Sequence, residues 1–200
     1  MKFICATLLL LCNPISDLDY DYQKKFTHQI TECALDYNSS IYPYHRIPII
    51  LVQAQAIQES NWGRSRFAKE GNNFFGIKEF DLTEPHMKAK ERLDANWGLR
   101  KYNSMCDSVE DYMNLLSTSY KYKEFQELLL LQWFENEVDL HALVDTLYNY
   151  AENPNYRDEV KKIINKLEAK GITNQVKKKN TTWKNLKNQV VCHLNQKIIW

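Results

Sequence analysis

Glu59 ends a stretch that is apolar on nearly every side, with Ile49, Ile50, Leu51, Val52, Ala54, Ala56 and Ile57 before it. A carboxyl at the end of such a helix, near side chains such as Trp62 and Phe75, loses hydration of its charged form, so its pKa rises. An acid still protonated near neutral pH can give its proton to a leaving oxygen, which is what glycosidic cleavage needs. The plainer reading of the same residue is an exposed helix end. Other chemistries lack their residues. His28, His45, His86, His141 and His193 are scattered, with no HExxH pair and no Cys/His cluster, so neither a metal nor a cofactor is implied. No glycine-rich phosphate loop and no Gly-x-Ser-x-Gly elbow occurs.

The elements that must position Glu59 are mostly helical. Phe26, Ile30, Cys33 and Tyr37 form one stripe of a helix over 19–37. Pro48 suits the first turn of a second helix, over 48–60, and Gly63 marks its end. Because that helix is apolar all round, it is a central core element. Residues 72–102 change character, and strand propensity at 74–80 and 99–102 predicts a hairpin or three-stranded flap. Helices resume at Asp107, where Ser108 and Asp111 suggest a capping box and Val109, Tyr112, Leu116 and Tyr120 a buried stripe. Further helices are expected over 125–134, 140–150 and 156–170, with Val160, Ile163, Ile164 and Leu167 on one face of the last.

The bulk numbers fit one soluble domain: 200 residues, 44% hydrophobic and 26% charged. Seven of the 26 basic residues lie in 170–200 with no Asp or Glu, which leaves 19 basic against 25 acidic residues before them, a net charge of about −6. A basic tail on an acidic body suggests attachment to an anionic wall polymer or a membrane surface, or else a solvated terminal helix. Met1-Lys2 followed by an apolar run to Leu11 resembles a short secretion signal, too short to span a bilayer, with no clear cleavage site. The expected organisation is a signal peptide over 1–16, a domain over 17–170 and a basic extension over 171–200. Cys5 and Cys12 fall in the signal, and Cys33, Cys106 and Cys192 are expected as buried free thiols.

Three ordered strings carry more. Ala54-Gln55-Ala56-Ile57-Gln58-Glu59-Ser60-Asn61-Trp62-Gly63 is followed by Ser65-Arg66-Phe67-Ala68 and by Gly71-Asn72-Asn73-Phe74-Phe75-Gly76-Ile77. Arg46-Ile47-Pro48 precedes them, and Arg100-Lys101-Tyr102-Asn103-Ser104 and Tyr150-Ala151-Glu152-Asn153-Pro154-Asn155-Tyr156 follow. In residue type and spacing, roughly residues 22–168 resemble the glucosaminidase family of cell-wall hydrolases, most of all its Bax-type bacterial members.

The resemblance implies a predominantly helical α+β, lysozyme-like fold with a small β-hairpin flap beside a glycan groove. It implies an exported endo-β-N-acetylglucosaminidase acting on the β-1,4 bonds of peptidoglycan. A muramidase, a lytic transglycosylase or a catalytically weak glycan-binding protein on the same scaffold are the alternatives. Glu59 takes the place of the family's acid and Tyr150 that of its tyrosine, which would orient water or the substrate's acetamido group; a core tyrosine bonded to a backbone carbonyl is the alternative. Expected substrate contacts are Trp62, Asn72, Asn73, Phe75, Trp97 and Tyr156. Trp62 reads better as a lid beside Glu59 than as a sugar platform, Trp97 is the better stacking candidate, and Asn72 and Asn73 fit a turn as well as acetamido binding. The family often adds a second acid in the flap, but His86 stands where it would fall, leaving Glu79, Glu84, Glu91 or none. The expected partners are peptidoglycan glycan strands and no nucleic acid, for a monomer in the periplasm or cell envelope, or secreted.

Overall fold

A computed structural model of the chain describes residues 14–171. Cys5, Cys12 and Cys192, most of the expected signal and the lysine-rich extension lie outside the described residues. α1 spans Pro14–Ser40, α2 Ile49–Ser60, α3 Arg66–Gly71, α4 Met105–Thr118, α5 Lys123–Glu135, α6 Leu140–Asp145 and α7 Tyr156–Ala169. A flap of three short strands, β1 Lys78–Glu79, β2 His86–Met87 and β3 Gly98–Arg100, interrupts the helices after α3.

α2 is the hub. All residues from Ile49 to Ile57 are buried, and the helix packs against α1 on one side and α7 on the other. Each fully buried Ile, Leu or Val there contributes about 1.5–3 kcal/mol. Pro48 is its N-cap, and Asn38 of α1 fixes the entry by bonding both the N–H and the carbonyl of Ile47. At the other end three consecutive residues are left-handed, Asn61 (φ 49°), Trp62 (φ 60°) and Gly63 (φ 73°). Only the last is free of the Cβ penalty of about 1–2 kcal/mol. Ser60 holds this turn: its hydroxyl donates to Ala56 O (2.5 Å) and accepts from Gly63 N (2.7 Å). A Cβ at position 63 would stand 2.9 Å from the ring of Phe26, so glycine also lets α1 close on the turn.

The flap has the order β1-β3-β2, antiparallel throughout, with Lys78 opposite Leu99 and His86 opposite Arg100. It is bolted to the helical body through Arg100, whose guanidinium donates to Glu79 (2.8 Å) and to Asp111 of α4 (2.7 Å). Tyr102 donates to the same Asp111 oxygen at 2.6 Å.

Four expectations are corrected. Cys33 and Cys106 form a disulfide between α1 and α4, with Cα atoms 4.9 Å apart; sequence spacing does not reveal which helices lie side by side. The capping box of α4 is Ser104 with Asp107, four residues before the expected pair, which leaves Ser108 to accept from Phe74 N and Asp111 to pair with Arg100. Tyr120 is 84% exposed, because α4 ends at Thr118, and Met113 completes the buried face. α6 stops at Asp145, and residues 146–150 form turns that bring Tyr150 back to the core.

Candidate active site

The carboxyl of Glu59 is half-buried at the C-terminal end of α2. Four tyrosines feel its charge: Tyr112 of α4, Tyr122 at the start of α5, Tyr150, and Tyr156 at the start of α7. Tyr150 stacks on Tyr156 (ring centroids 5.6 Å apart, 13° between planes) and meets Tyr112 edge-on at 6.1 Å. Loss of hydration in this aromatic wall pushes the Glu59 pKa from an ordinary 4.5 up to about 7, against the hydrogen bond from Tyr156, which pulls it down. Burial, and then the Glu59 charge, raise the phenol of Tyr122 to about 12, so it stays protonated across the working pH range.

A directed chain of hydrogen bonds fixes the acid. Gln55, one helical turn before Glu59, is fully buried. Its carbonyl accepts from the Tyr112 hydroxyl, and its amide donates to the Tyr156 hydroxyl at 2.8 Å. Tyr156 hydrogen-bonds in turn to Glu59. With its oxygen accepting from Gln55, the Tyr156 O–H is left to donate to the carboxylate. Nothing in the sequence reading marked Gln55, Tyr112 or Tyr122 as part of this arrangement. The available signal was an amide at i−4 from the acid in an otherwise apolar helix.

The loop after α3 forms the facing wall. Gly76 has φ +67°, and a Cβ there would lie 3.3 Å from Glu59 Oε2, so the carboxyl leans on a bare backbone. Asn73 shapes this loop with its whole amide, donating to Ile77 O and Arg100 O (both 2.9 Å) and accepting from Phe75 N and Ile77 N. Tyr150 donates to Phe75 O at 2.8 Å and so pins the same loop.

Of the residues expected to contact substrate, the structure gathers Tyr150 and Tyr156 at Glu59 and sends others elsewhere. Phe75 is 1% exposed and stacks on Tyr112 at 4.0 Å, so it is a core ring. Asn73 is buried and fully bonded. Asn72 caps α3 in a left-handed conformation and donates to Tyr102 O and Asn103 O. Trp62 meets Phe26 edge-on at 6.2 Å and lines a depression of about 400 Å³ with Gln23, Ile57, Gln58, Lys166 and Lys170. Glu59 does not line that depression, so Trp62 serves a different face of α2. Trp97 stands half-buried before β3, with the Lys78 ammonium 4.5 Å over its ring.

The three candidate second acids differ sharply. Glu79 is buried and saturated: its carboxylate accepts from Phe80 N (2.9 Å), Asp81 N (3.0 Å) and Arg100 Nε (2.8 Å). These contacts, led by the Asp81 N–H, hold its pKa below the usual carboxylate range. Glu84 and Glu91 are exposed on the long loops of the flap.

A helical body with a small antiparallel flap beside the end of its central helix is the lysozyme-like fold. The catalytic domain of the autolysin Auto from Listeria monocytogenes superposes with a TM-score of 0.55 at 21% identity, over 84% of this chain and 97% of that one. A glycoside hydrolase domain of FlgJ from Salmonella typhimurium does so at 0.53 and 22%, over 74% and 98%. The family model for glucosaminidases, described as mannosyl-glycoprotein endo-beta-N-acetylglucosaminidase, matches residues 37–169, and the chain belongs to this family. The exo-glucosaminidase LytG of Bacillus subtilis is 29% identical over 131 residues, which is 62% of this chain and 45% of the relative. Protein bax of Escherichia coli is 29% identical over 106 residues, 52% and 37%. The match thus spans less than half the length of these two curated relatives.

Proposed function

We propose that the chain is an exported endo-β-N-acetylglucosaminidase that hydrolyses β-1,4 bonds of peptidoglycan, with Glu59 as general acid. The observation that carries this reading is the Glu59 carboxyl, held in an aromatic wall with a pKa raised to about 7. Glu59 gives its proton to the glycosidic oxygen as the C1–O bond breaks, and the resulting carboxylate is received by the Tyr156 hydroxyl. It later takes a proton from the water that completes hydrolysis. Tyr150 positions the Phe75–Ile77 loop against the acid and, in this reading, does not itself attack.

Glu79 supports a route without a flap nucleophile. A carboxylate that already accepts three hydrogen bonds, one from a guanidinium, is a poor nucleophile and a poor base. Attack by the substrate's own 2-acetamido oxygen, or by water activated from elsewhere, fits better. The same observation favours the lytic transglycosylase alternative, in which one acid suffices. Digestion of purified peptidoglycan followed by mass spectrometry decides the bond. Products with reducing N-acetylglucosamine ends are expected, whereas reducing muramic acid or its anhydro form would replace the assignment.

The Cys33–Cys106 disulfide supports residence in an oxidising compartment such as the periplasm or envelope. Glycan strands are the proposed partner of a monomer. Attachment through the basic extension is a separate proposal: truncation after Gly171 is expected to weaken sedimentation with cell walls, and added salt to do likewise.

A further inference from the structure

The depression that Trp62 lines takes no part in the chemistry assigned to Glu59. It lies where α1, the C-terminal end of α2 and the C-terminal half of α7 meet. Its volume of about 400 Å³ falls within the range of small-ligand pockets, about 300–1,000 Å³. Gln58 lines it and Glu59 does not. Consecutive residues of a helix project about 100° apart, so the end of α2 serves two separate faces.

Three kinds of group share this lining. Its apolar part is Ile57 and Leu167, both buried, with Ile163 and the Trp62 ring half-buried beside them. Its hydrogen-bonding part is half used. The Gln23 amide donates to Asp19 (2.9 Å) and the Gln58 amide to Glu159 (2.7 Å), and among the described residues neither side-chain carbonyl receives a donor. The Asn61 carboxamide and the Trp62 indole N–H also lack a protein partner there, and none of these groups is sealed from solvent. The third part is cationic. Lys166 and Lys170 are exposed, one helical turn apart, and neither makes an ion pair among the described residues. The Lys170 ammonium rests 5.9 Å from the centroid of the Tyr20 ring. The carboxylates bonded to the lining have other donors already: Asp19 meets Arg64, and Glu159 accepts from Asn153. The dipole of α7 accounts for lysines at its C-terminal end, but not for an indole and unpaired carboxamides beside them.

Each part matches one part of an acidic amino sugar. The indole and aliphatic groups suit the C–H face of a pyranose ring, and the open carbonyls suit its hydroxyls and acetamido N–H. The paired ammonium groups suit a carboxylate. We propose that this depression is an exosite that holds an N-acetylated, carboxylate-bearing glycan strand away from the bond being cut. The choice of polymer rests on the reading of Glu59 as the acid of a peptidoglycan hydrolase, and the exosite adds a second hold on the wall. The carboxylate has two sources in peptidoglycan: the side-branch peptide, or the free lactyl ether acid of a muramoyl residue stripped of its peptide.

The test is an NMR titration of the full chain carrying Glu59→Gln, which leaves the ligand uncut and reports where it binds. The ligands are peptide-bearing glycan fragments, peptide-stripped fragments with free lactyl acids, and neutral chito-oligosaccharides of equal length. Shifts are expected in the Trp62 indole N–H and the amides of 163–170, apart from those of 73–77 and 150–156 beside the acid. Adding K166Q and K170Q is expected to raise the Kd read at the depression about three- to ten-fold for the carboxylate-bearing fragments, as two partly screened charge contacts would. The Kd read beside the acid stays unchanged, and K166R with K170R retains binding at the depression. The fragment that loses more affinity identifies the carboxylate. Shifts confined to 73–77 and 150–156, or a Kd at the depression that K166Q and K170Q leave unchanged, overturn the proposal. A wild-type chain that binds glycan at the depression yet cleaves none would refute the enzymatic reading and leave the exosite standing.

Discussion

Replacing Tyr156 by Phe tests the hydrogen-bond chain behind the acid. The hydroxyl of Tyr156 accepts from Gln55 at 2.8 Å and bonds to Glu59, where it favours the ionised carboxylate. A hydrogen bond to a charged group is worth about 1.5–3 kcal/mol, and about 1.4 kcal/mol corresponds to one pH unit. Water can reach a half-buried carboxyl and replace part of the bond, so the lower end applies, about one unit. The sign is fixed by the role. As the proposed general acid Glu59 works protonated, so activity is expected to fall as pH rises through its pKa, near 7 in the wild type. Losing the donor moves that alkaline limb upward, to about 8. The assay is kcat/KM against pH on soluble glycan, which reports the acid in the free enzyme. The same variant leaves the Gln55 amide buried without its acceptor, at a cost of about 1–3 kcal/mol, so Tm falls as well. A limb that stays in place or moves to lower pH while Tm drops would refute the reasoning, since Tyr156 would then support the fold alone.

Three further outcomes are expected. Because the folded pKa of Glu59 lies above its unfolded value, its favourable term is present below pH 4.5 and is lost as pH rises to about 7. Glu59→Gln is therefore expected to be more stable than the wild type at pH 8, by on the order of 2–3 kcal/mol, with little difference at pH 4; thermal melts at both pH values check this. Replacing Cys33 and Cys106 by Ser reopens a loop with a sequence separation of 73, so the melting transition should fall by the equivalent of about 2–4 kcal/mol, with the same change on reduction of the wild type. Gly76→Ala places a methyl against the Glu59 carboxyl in a left-handed conformation, and both stability and glycan cleavage should drop; calorimetry should register at least about 1 kcal/mol.

What the sequence revealed follows from how local each signal is. The α2 pattern, a continuous apolar run behind a proline, made both the central helix and its odd acid legible. The flap was legible as a change of character over 72–102, but the strand expected over 74–80 shrinks to Lys78–Glu79, because residues 74–77 form the loop that Asn73 shapes against Glu59, and β2 at His86–Met87 carried no sequence signal. The support of the acid was not legible, because Gln55 meets Tyr156 across 101 positions of chain and Tyr112 across 57. The disulfide was hidden for the same reason: Cys33 and Cys106 become neighbours only once α1 lies along α4. Phe75, Asn72 and Asn73 looked like site residues because they sit in a distinctive motif. Their side chains build the loop that Glu59 leans on, so the motif records the shape of the backbone at the acid.

The central claim is that one half-buried carboxylic acid at the end of α2 breaks the glycosidic bond. Its most direct test is the lytic activity of Glu59→Gln on purified cell walls, with a melting curve on the same sample to show that it is folded. A loss of at least about 10²-fold is expected, with Tm maintained or raised. A folded variant that clears the wall at close to the wild-type rate would contradict it.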